Sequence, residues 1–382
     1  MKIHGGKLDA ACAITLVAML AGCSSSNMSS TTATTSTTPP SVVAQLKTTT
    51  TIGSTVDATN GDNNPYGLAI APITAGSITA GDLIVCNFNN KAGVSGAGTT
   101  VEDLSPTAGS MPKRIAQDAS LAGCDAIALN PGSDSIWVAA YTANDNPIFK
   151  ATGTLATTLS ANYKWMQPWG QIYATPSMSS GITANPAFYI TDAGNGSIVS
   201  SSITSTGLVF TTIATGFPVN LSSTYGILAP AGLTYDPNTD TLYIVSSINN
   251  TIVAFSKVST IPSNGITVTV TGSSTNLYGT TAASTTFSGP AASQAKVIFA
   301  GSPLNYPVSS ALLYNGDLIV GNTGDNNMVE INPATGAAVG TKIVDTGNAG
   351  AIFGIATSGT TVATQKIYFN DDNTNSVVQL SQ

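Results

Sequence analysis

AGLTYDPNTDTLYIVSSINNTIVAF, residues 231–255, carries two alternating apolar runs on either side of Pro237-Asn238-Thr239-Asp240. A polar corner, Ser246-Ser247-Ile248-Asn249-Asn250, then leads into a third run ending at Phe255. Apolar residues at every second position, separated by turn formers, describe three antiparallel strands in a meander.

The same pattern recurs along the chain. Second strands align as Leu83-Ile84-Val85, Ile136-Trp137-Val138, Phe188-Tyr189-Ile190, Leu242-Tyr243-Ile244, Leu318-Ile319-Val320 and Ile367-Tyr368-Phe369. Their spacing of roughly 50 residues is that of propeller blades. The first strands agree with this register: Gly67 to Pro72, Ala126 to Pro131, Gly170 to Pro176, Gly232 to Pro237, Ala311 to Gly316 and Gly354 to Gly359. Each opens on a small residue, which lets inner strands crowd about an axis, and each closes on a Pro or Gly turn. A ring of four-stranded blades protects its own edges, whereas a solenoid needs dedicated caps. The expectation is therefore an all-β fold, a six-bladed β-propeller.

The last blade has only three strands of its own, ending at Ser376 to Leu380, so Val42 to Ile52 is expected to supply the fourth and close the ring. The long gap between the fourth and fifth units, near Ile261 to Ser293, reads as the outer strand of the fourth blade plus an extended loop.

Ahead of the repeats, Lys2 and Lys7 precede an apolar run from Ala10 to Ala21. That run is too short to span a bilayer and has the order of a secretory signal. Leu20-Ala21-Gly22-Cys23 resembles the lipobox of bacterial lipoproteins. The resemblance implies cleavage before Cys23, acylation of that cysteine and, with Ser24 following it, sorting to the outer membrane, facing the periplasm or the surface. Residues 1–22 are then a signal peptide, residues 23–41 a Ser/Thr-rich tether too polar to order itself, and residues 42–382 the propeller. Membrane contact is expected through this lipid anchor alone.

Composition excludes several functions. The net charge is −7 and Arg114 is the sole arginine. No basic cluster exists to neutralise phosphates, so nucleic acid is not a partner. The single histidine, His4, leaves with the signal, and the mature chain has no imidazole for a triad, a zinc site or a neutral-pH base. Cys12 also leaves and Cys23 takes the lipid, which leaves Cys86 and Cys124. In an exported chain these invite a disulfide; two buried thiols are the alternative.

Asn64-Pro65-Tyr66-Gly67-Leu68-Ala69 and Tyr189 to Ile198 resemble the two halves of an NHL-repeat propeller unit, and the likeness extends from Asn64 to the C-terminus.

In this register the residue before each first strand lies at one mouth of the central channel: Tyr66, Asp125, Trp169, Ala231, Ser310 and Phe353. The residue leaving each second strand reaches the same mouth: Asn87, Ala140, Asp192, Ser246, Asn322 and Asp371. Aromatic faces with a few polar groups suit a small ligand or a sugar, and aspartates with amide oxygens suit a hard cation such as Ca²⁺. The same aromatics can instead plug the channel, and the same Asp and Asn can satisfy turn amides. Cys86 and Cys124 fall at this mouth on neighbouring blades, where a disulfide would join them. Asp371-Asp372 and Asp325-Asn326-Asn327 lack the spacing of an EF-hand loop, so no cofactor is expected and Ca²⁺ is the one candidate.

Two functions compete. One is a monomeric, lipid-anchored module at the cell envelope that binds a protein, glycan or small ligand. The other is a divalent-cation-dependent hydrolase resembling the propeller lactonases and lyases. Gluconolactonase-like members place a Glu at a blade start, and here Glu102 and Glu330 fall elsewhere; virginiamycin lyase-like members depend on histidine. Asp125, Asp192 and Asp371 would be the cation ligands without it. The composition favours binding over catalysis.

Overall fold

The structure is a computed structural model and describes residues 40–133, 135–220, 229–271 and 284–382. The expected signal peptide, Cys23 and the expected tether up to residue 39 lie outside the described residues.

Among the described residues the strands form six sheets. The innermost strands are Asn63–Ile70, Cys124–Leu129, Pro168–Ala174, Pro230–Asp236, Pro307–Leu312 and Ile352–Ser358. Each touches the innermost strands of both neighbours, and the last returns to the first. The chain is a six-bladed β-propeller.

The second strands read as near-continuous apolar runs because both faces of every blade are covered. Successive side chains point to opposite faces, so Leu83 and Val85 pack toward the sixth blade while Ile84 packs toward the second. Trp137 likewise packs on the third blade while Ile136 and Val138 face the first. The core is thus a set of inter-blade layers.

Small residues allow the inner ring to close. A Cβ on Gly170 would stand 2.0 Å from the carbonyl oxygen of Ala231, and one on Gly354 would stand 2.5 Å from that of Tyr66. Both contacts are with backbone that cannot move aside without shifting a blade.

Three expectations are corrected. The closing strand is Thr48–Ser54, paired antiparallel with Ser376–Ser381, and Val42–Gln45 ahead of it is a helical turn. The turn forms because a buried carboxylate receives its free amides: Glu330 accepts from Val42 N at 3.0 Å, Val43 N at 2.8 Å and Ser41 Oγ at 2.6 Å. Val42, Val43 and Leu46 then pack on Ile319, Met328 and Leu380.

The long insertion does not complete the fourth blade. Ile266–Thr271 and Ser284–Ser288 form a hairpin on the outer edge of the third blade, where Ala214 and Thr215 pair in parallel with Ile266 and Thr267. The outer strand of the fourth blade is Ala295–Ala300. In the fifth blade the inner strand begins at Pro307 rather than Ala311, because Ser309 and Ser310, polar in sequence, pair with Gly321 and Val320.

Candidate functional site

The register brings Tyr66, Asp125, Trp169 and Phe353 together around the axis. On the fifth blade Val308 packs into the aromatic layer, and Ser310, expected there, lies two residues deeper. Tyr66 lies between two rings, 4.2 Å from Phe88 and 3.6 Å from Phe353 by centroids, both nearly parallel. Trp169 stands 6.3 Å from Tyr66, and Tyr141 meets Trp169 edge-on at 5.9 Å. Stacked pairs of this kind are worth roughly 0.5–1.5 kcal/mol each beyond their buried area. Together they plug this mouth.

Beneath the plug is a chamber of about 70 Å³. Asp125 lines it and is 5% exposed, and neither of its carboxylate oxygens meets a protein donor. Burial pushes its carboxyl well above the usual range, since an unpaired charge in low dielectric is costly. Burial, then the nearby Asp125, also raises the Tyr66 hydroxyl. Ser309 Oγ and Gln171 Nε2, on the same wall, are buried without a protein partner.

The second-strand exits are elsewhere. Asn87 donates to Thr55 O at 2.9 Å and Thr100 Oγ1 at 3.1 Å. Asp192 accepts from Met166 N and Asn195 Nδ2, both at 2.7 Å, and Asn322 donates to Pro303 O at 2.9 Å. Asp371 ends its strand opposite Ile352, with its carboxyl raised by burial. These four side chains hold turns and inter-strand corners, and none lines the chamber. Asp125, Asp192 and Asp371 are not gathered: among the described residues no group of three or more His, Cys, Asp or Glu side chains could hold a metal ion. The donor set therefore does not fit the cation site considered from sequence.

Cys86 and Cys124 form a disulfide with Cα atoms 5.9 Å apart. It joins the second strand of the first blade to the first strand of the second, as the register predicts.

The opposite mouth is wider and has no counterpart among the expectations from sequence. It is a cavity of about 420 Å³ walled by the far halves of the inner strands, including Ile70, Leu129, Tyr173, Tyr235 and Leu312, with Pro72 and Pro131 at the rim. No lining residue is Asp, Glu, Lys, Arg or His. Most lining polar groups are already bonded within the protein. Thr234 Oγ1 and Ser310 Oγ share a 2.6 Å hydrogen bond, Thr357 Oγ1 donates to Leu312 O at 2.6 Å, and Tyr235 OH donates to Asp240 at 2.9 Å. Gln171 Oε1 accepts from Asn146 Nδ2, which leaves Gln171 Nε2 as the free donor. The mouth is therefore an uncharged socket of mixed apolar and polar surface, with its side-chain hydroxyls mostly bonded within the protein. The clue in sequence is Pro72 and Pro131, which end the first strands at the far side from the aromatic positions.

No family model and no curated protein matches the chain. Solved structures of similar fold include a gluconolactonase from Xanthomonas campestris, at 12% identity over 84% of this chain and 86% of that one, with a TM-score of 0.55. Virginiamycin B lyase from Staphylococcus aureus aligns at 13% identity over 88% of this chain and 99% of that one, with a TM-score of 0.49. The first likeness is one of fold, and the second carries no argument.

Proposed function

We propose that the protein is a binding module of the bacterial cell envelope, monomeric and held at the outer membrane by acylated Cys23, that takes a small, neutral, largely apolar ligand in the wider mouth. The observation that carries the reading is the 420 Å³ socket, whose lining holds no charged side chain and whose hydroxyls are mostly bonded within the protein. Pockets of this size and character bind through apolar burial, with a few polar groups fixing orientation. Burial of apolar area supplies roughly 25 cal/mol per Å².

The competing reading, a cation-dependent lactonase-like hydrolase, has less support, since the three carboxylates it needs are apart and the socket lining holds neither a carboxylate nor an imidazole to act as a base.

The test uses N-phenyl-1-naphthylamine, a neutral apolar fluorophore that brightens on leaving water. The full chain is expected to bind it, with at least a tenfold weaker affinity in Thr357→Trp, which puts bulk at the half-exposed rim of the socket. Equal affinity in a folded Thr357→Trp variant would contradict the assignment.

A further inference from the structure

The chain departs once from the regular order of its blades. After Thr251–Phe255 in the fourth blade it crosses to the third, adds the Ile266–Thr271 and Ser284–Ser288 hairpin there, and returns as Ala295–Ala300. The crossing segment is pinned at both ends. Val258 N donates to Asp240 O at 2.9 Å and Ser259 Oγ to the Asp240 carboxylate at 2.6 Å, on the fourth blade. Asn264 N donates to Thr212 O of the third blade at 2.8 Å.

Beneath this segment is a cleft of about 510 Å³ that shares no lining residue with the socket. Its floor is one face of the third blade, with Tyr189, Ser200, Ser202 and Thr211, and Thr183 to Asn185 form a further wall.

We infer that this cleft binds a neutral saccharide. It is a second site, independent of the ligand proposed for the socket. Three observations carry it.

Among the described residues the lining holds no Asp, Glu, Lys, Arg or His, so nothing there would offset the desolvation of an ionic ligand. Its polar groups, unlike those of the socket, are available. The side chains of Thr183, Asn185, Thr211 and Ser263 have no hydrogen-bond partner among the described residues, and all four are exposed or half-buried. A hydroxyl both donates and accepts, and an amide offers two donors and an acceptor, which is the complement of a polyol. Exposed Pro262 and half-buried Ala184 on the same lining give the C–H faces of a sugar ring a surface to pack on.

The spacing agrees. Ser202 follows Ser200 by two residues on one strand, and Thr211 pairs with Ser200 from the next. Their backbones lie roughly 7 Å apart along the strand and about 5 Å apart across it, the scale of a pyranose ring. Because the crossing segment is already pinned, little ordering entropy is lost on binding.

The test applies the full chain to a printed panel of short oligosaccharides, some neutral and some built from uronic acids, and titrates the best-bound one calorimetrically. A neutral oligosaccharide is expected to bind. Its affinity should fall at least tenfold in Thr211→Trp, which fills the cleft, and at least threefold in Asn185→Ala, which removes an exposed amide from outside the strands, with N-phenyl-1-naphthylamine binding unchanged. Failure to bind any neutral member of the panel would overturn the inference, as would a preference for the uronic acids or full affinity in both folded variants. Where Thr211→Trp folds poorly, Asn185→Ala decides alone. A chain that takes the saccharide but not the fluorophore would overturn the socket and leave the cleft standing.

Discussion

The Tyr66 ring stacks on the Phe353 ring at 3.6 Å, across the joint where the first and sixth blades meet. One residue sits just before the first inner-strand glycine of the ring and the other just before the last, so the plug also locks the circle. Tyr66→Ala removes the central ring of a three-ring stack and should cost about 3–5 kcal/mol, the range of large aromatic truncations in packed cores. Tyr66→Phe keeps both stacks and should cost about 1 kcal/mol. Denaturant unfolding of the two variants separates these values, and a Tyr66→Ala protein as stable as its parent would show that the stack is incidental.

The disulfide closes a loop of sequence separation 38. In the chain-entropy treatment this is worth about 4 kcal/mol. Cys86→Ser with Cys124→Ser should lower stability by that order. Intact mass under non-reducing conditions should fall two protons short of the reduced chain.

Glu330 is fully buried and receives the Val42 and Val43 amides of the Val42–Gln45 turn as well as the Ser41 hydroxyl. Glu330→Ala leaves two buried N–H groups without partners, each worth roughly 1–3 kcal/mol, so the expected loss is about 2–5 kcal/mol. Hydrogen exchange at Val42 and Val43 should quicken with it. Exchange unchanged at those amides would contradict the capping role.

The pH dependence follows from a second buried cluster. Arg114 Nε donates to Asp57 at 2.6 Å, and its Nη2 reaches the other carboxylate oxygen. Burial alone would raise the Asp57 carboxyl, but Arg114 and the Asn60 and Thr59 amides hold it well below the usual range. Beside it, burial and then the Asp57 carboxylate push Glu102 up to about 8. Burial also pushes Asp103, Asp317 and Asp372 up to about 6.

A carboxyl raised on folding binds its proton more tightly in the native state. Its contribution is complete below the unfolded value, near 4, and is lost as pH rises through the folded value. Asp57 works the other way: its contribution is complete above the unfolded value and is lost as pH falls toward the folded one. The thermal midpoint should therefore be highest near pH 4 and decline toward pH 8. Glu102→Gln should flatten the decline between pH 6 and 8, and an unchanged slope in that variant would contradict the assignment.

Much of this fold is legible in the chain because each inner strand announces itself twice, by a small residue where backbones crowd and by a turn former where the strand ends. Gly67, Gly170, Gly232 and Gly354 therefore locate the axis, and with it the Cys86–Cys124 bridge. The fifth blade is the exception. Ala311-Leu312-Leu313 is more apolar than Ser309-Ser310 and so resembles the start of a buried strand. The strand in fact begins earlier, with Val308 reaching the plugged mouth, Ser309 lining the chamber and the Ser310 hydroxyl bonded to Thr234.

Other features are hidden for different reasons. The turn at Val42–Gln45 depends on Glu330, which lies 288 residues from Val42, and no local pattern reports such a partner. The Ile266–Thr271 hairpin has strand character, but which blade edge it joins is a tertiary choice. The walls of the wider mouth are the same inner strands whose opposite ends carry the conspicuous aromatics. Its hydroxyls, such as those of Thr234 and Thr357, look free in a sequence but are bonded within the protein in the fold.

That the wider mouth is the binding site is tested most directly by a crystal structure of the protein grown with N-phenyl-1-naphthylamine. Density for the fluorophore is expected between Tyr173 and Tyr235, with the Tyr66–Phe353 stack unbroken. Density at the aromatic mouth with that stack displaced, or an empty socket beside a ligand bound elsewhere, would refute the assignment.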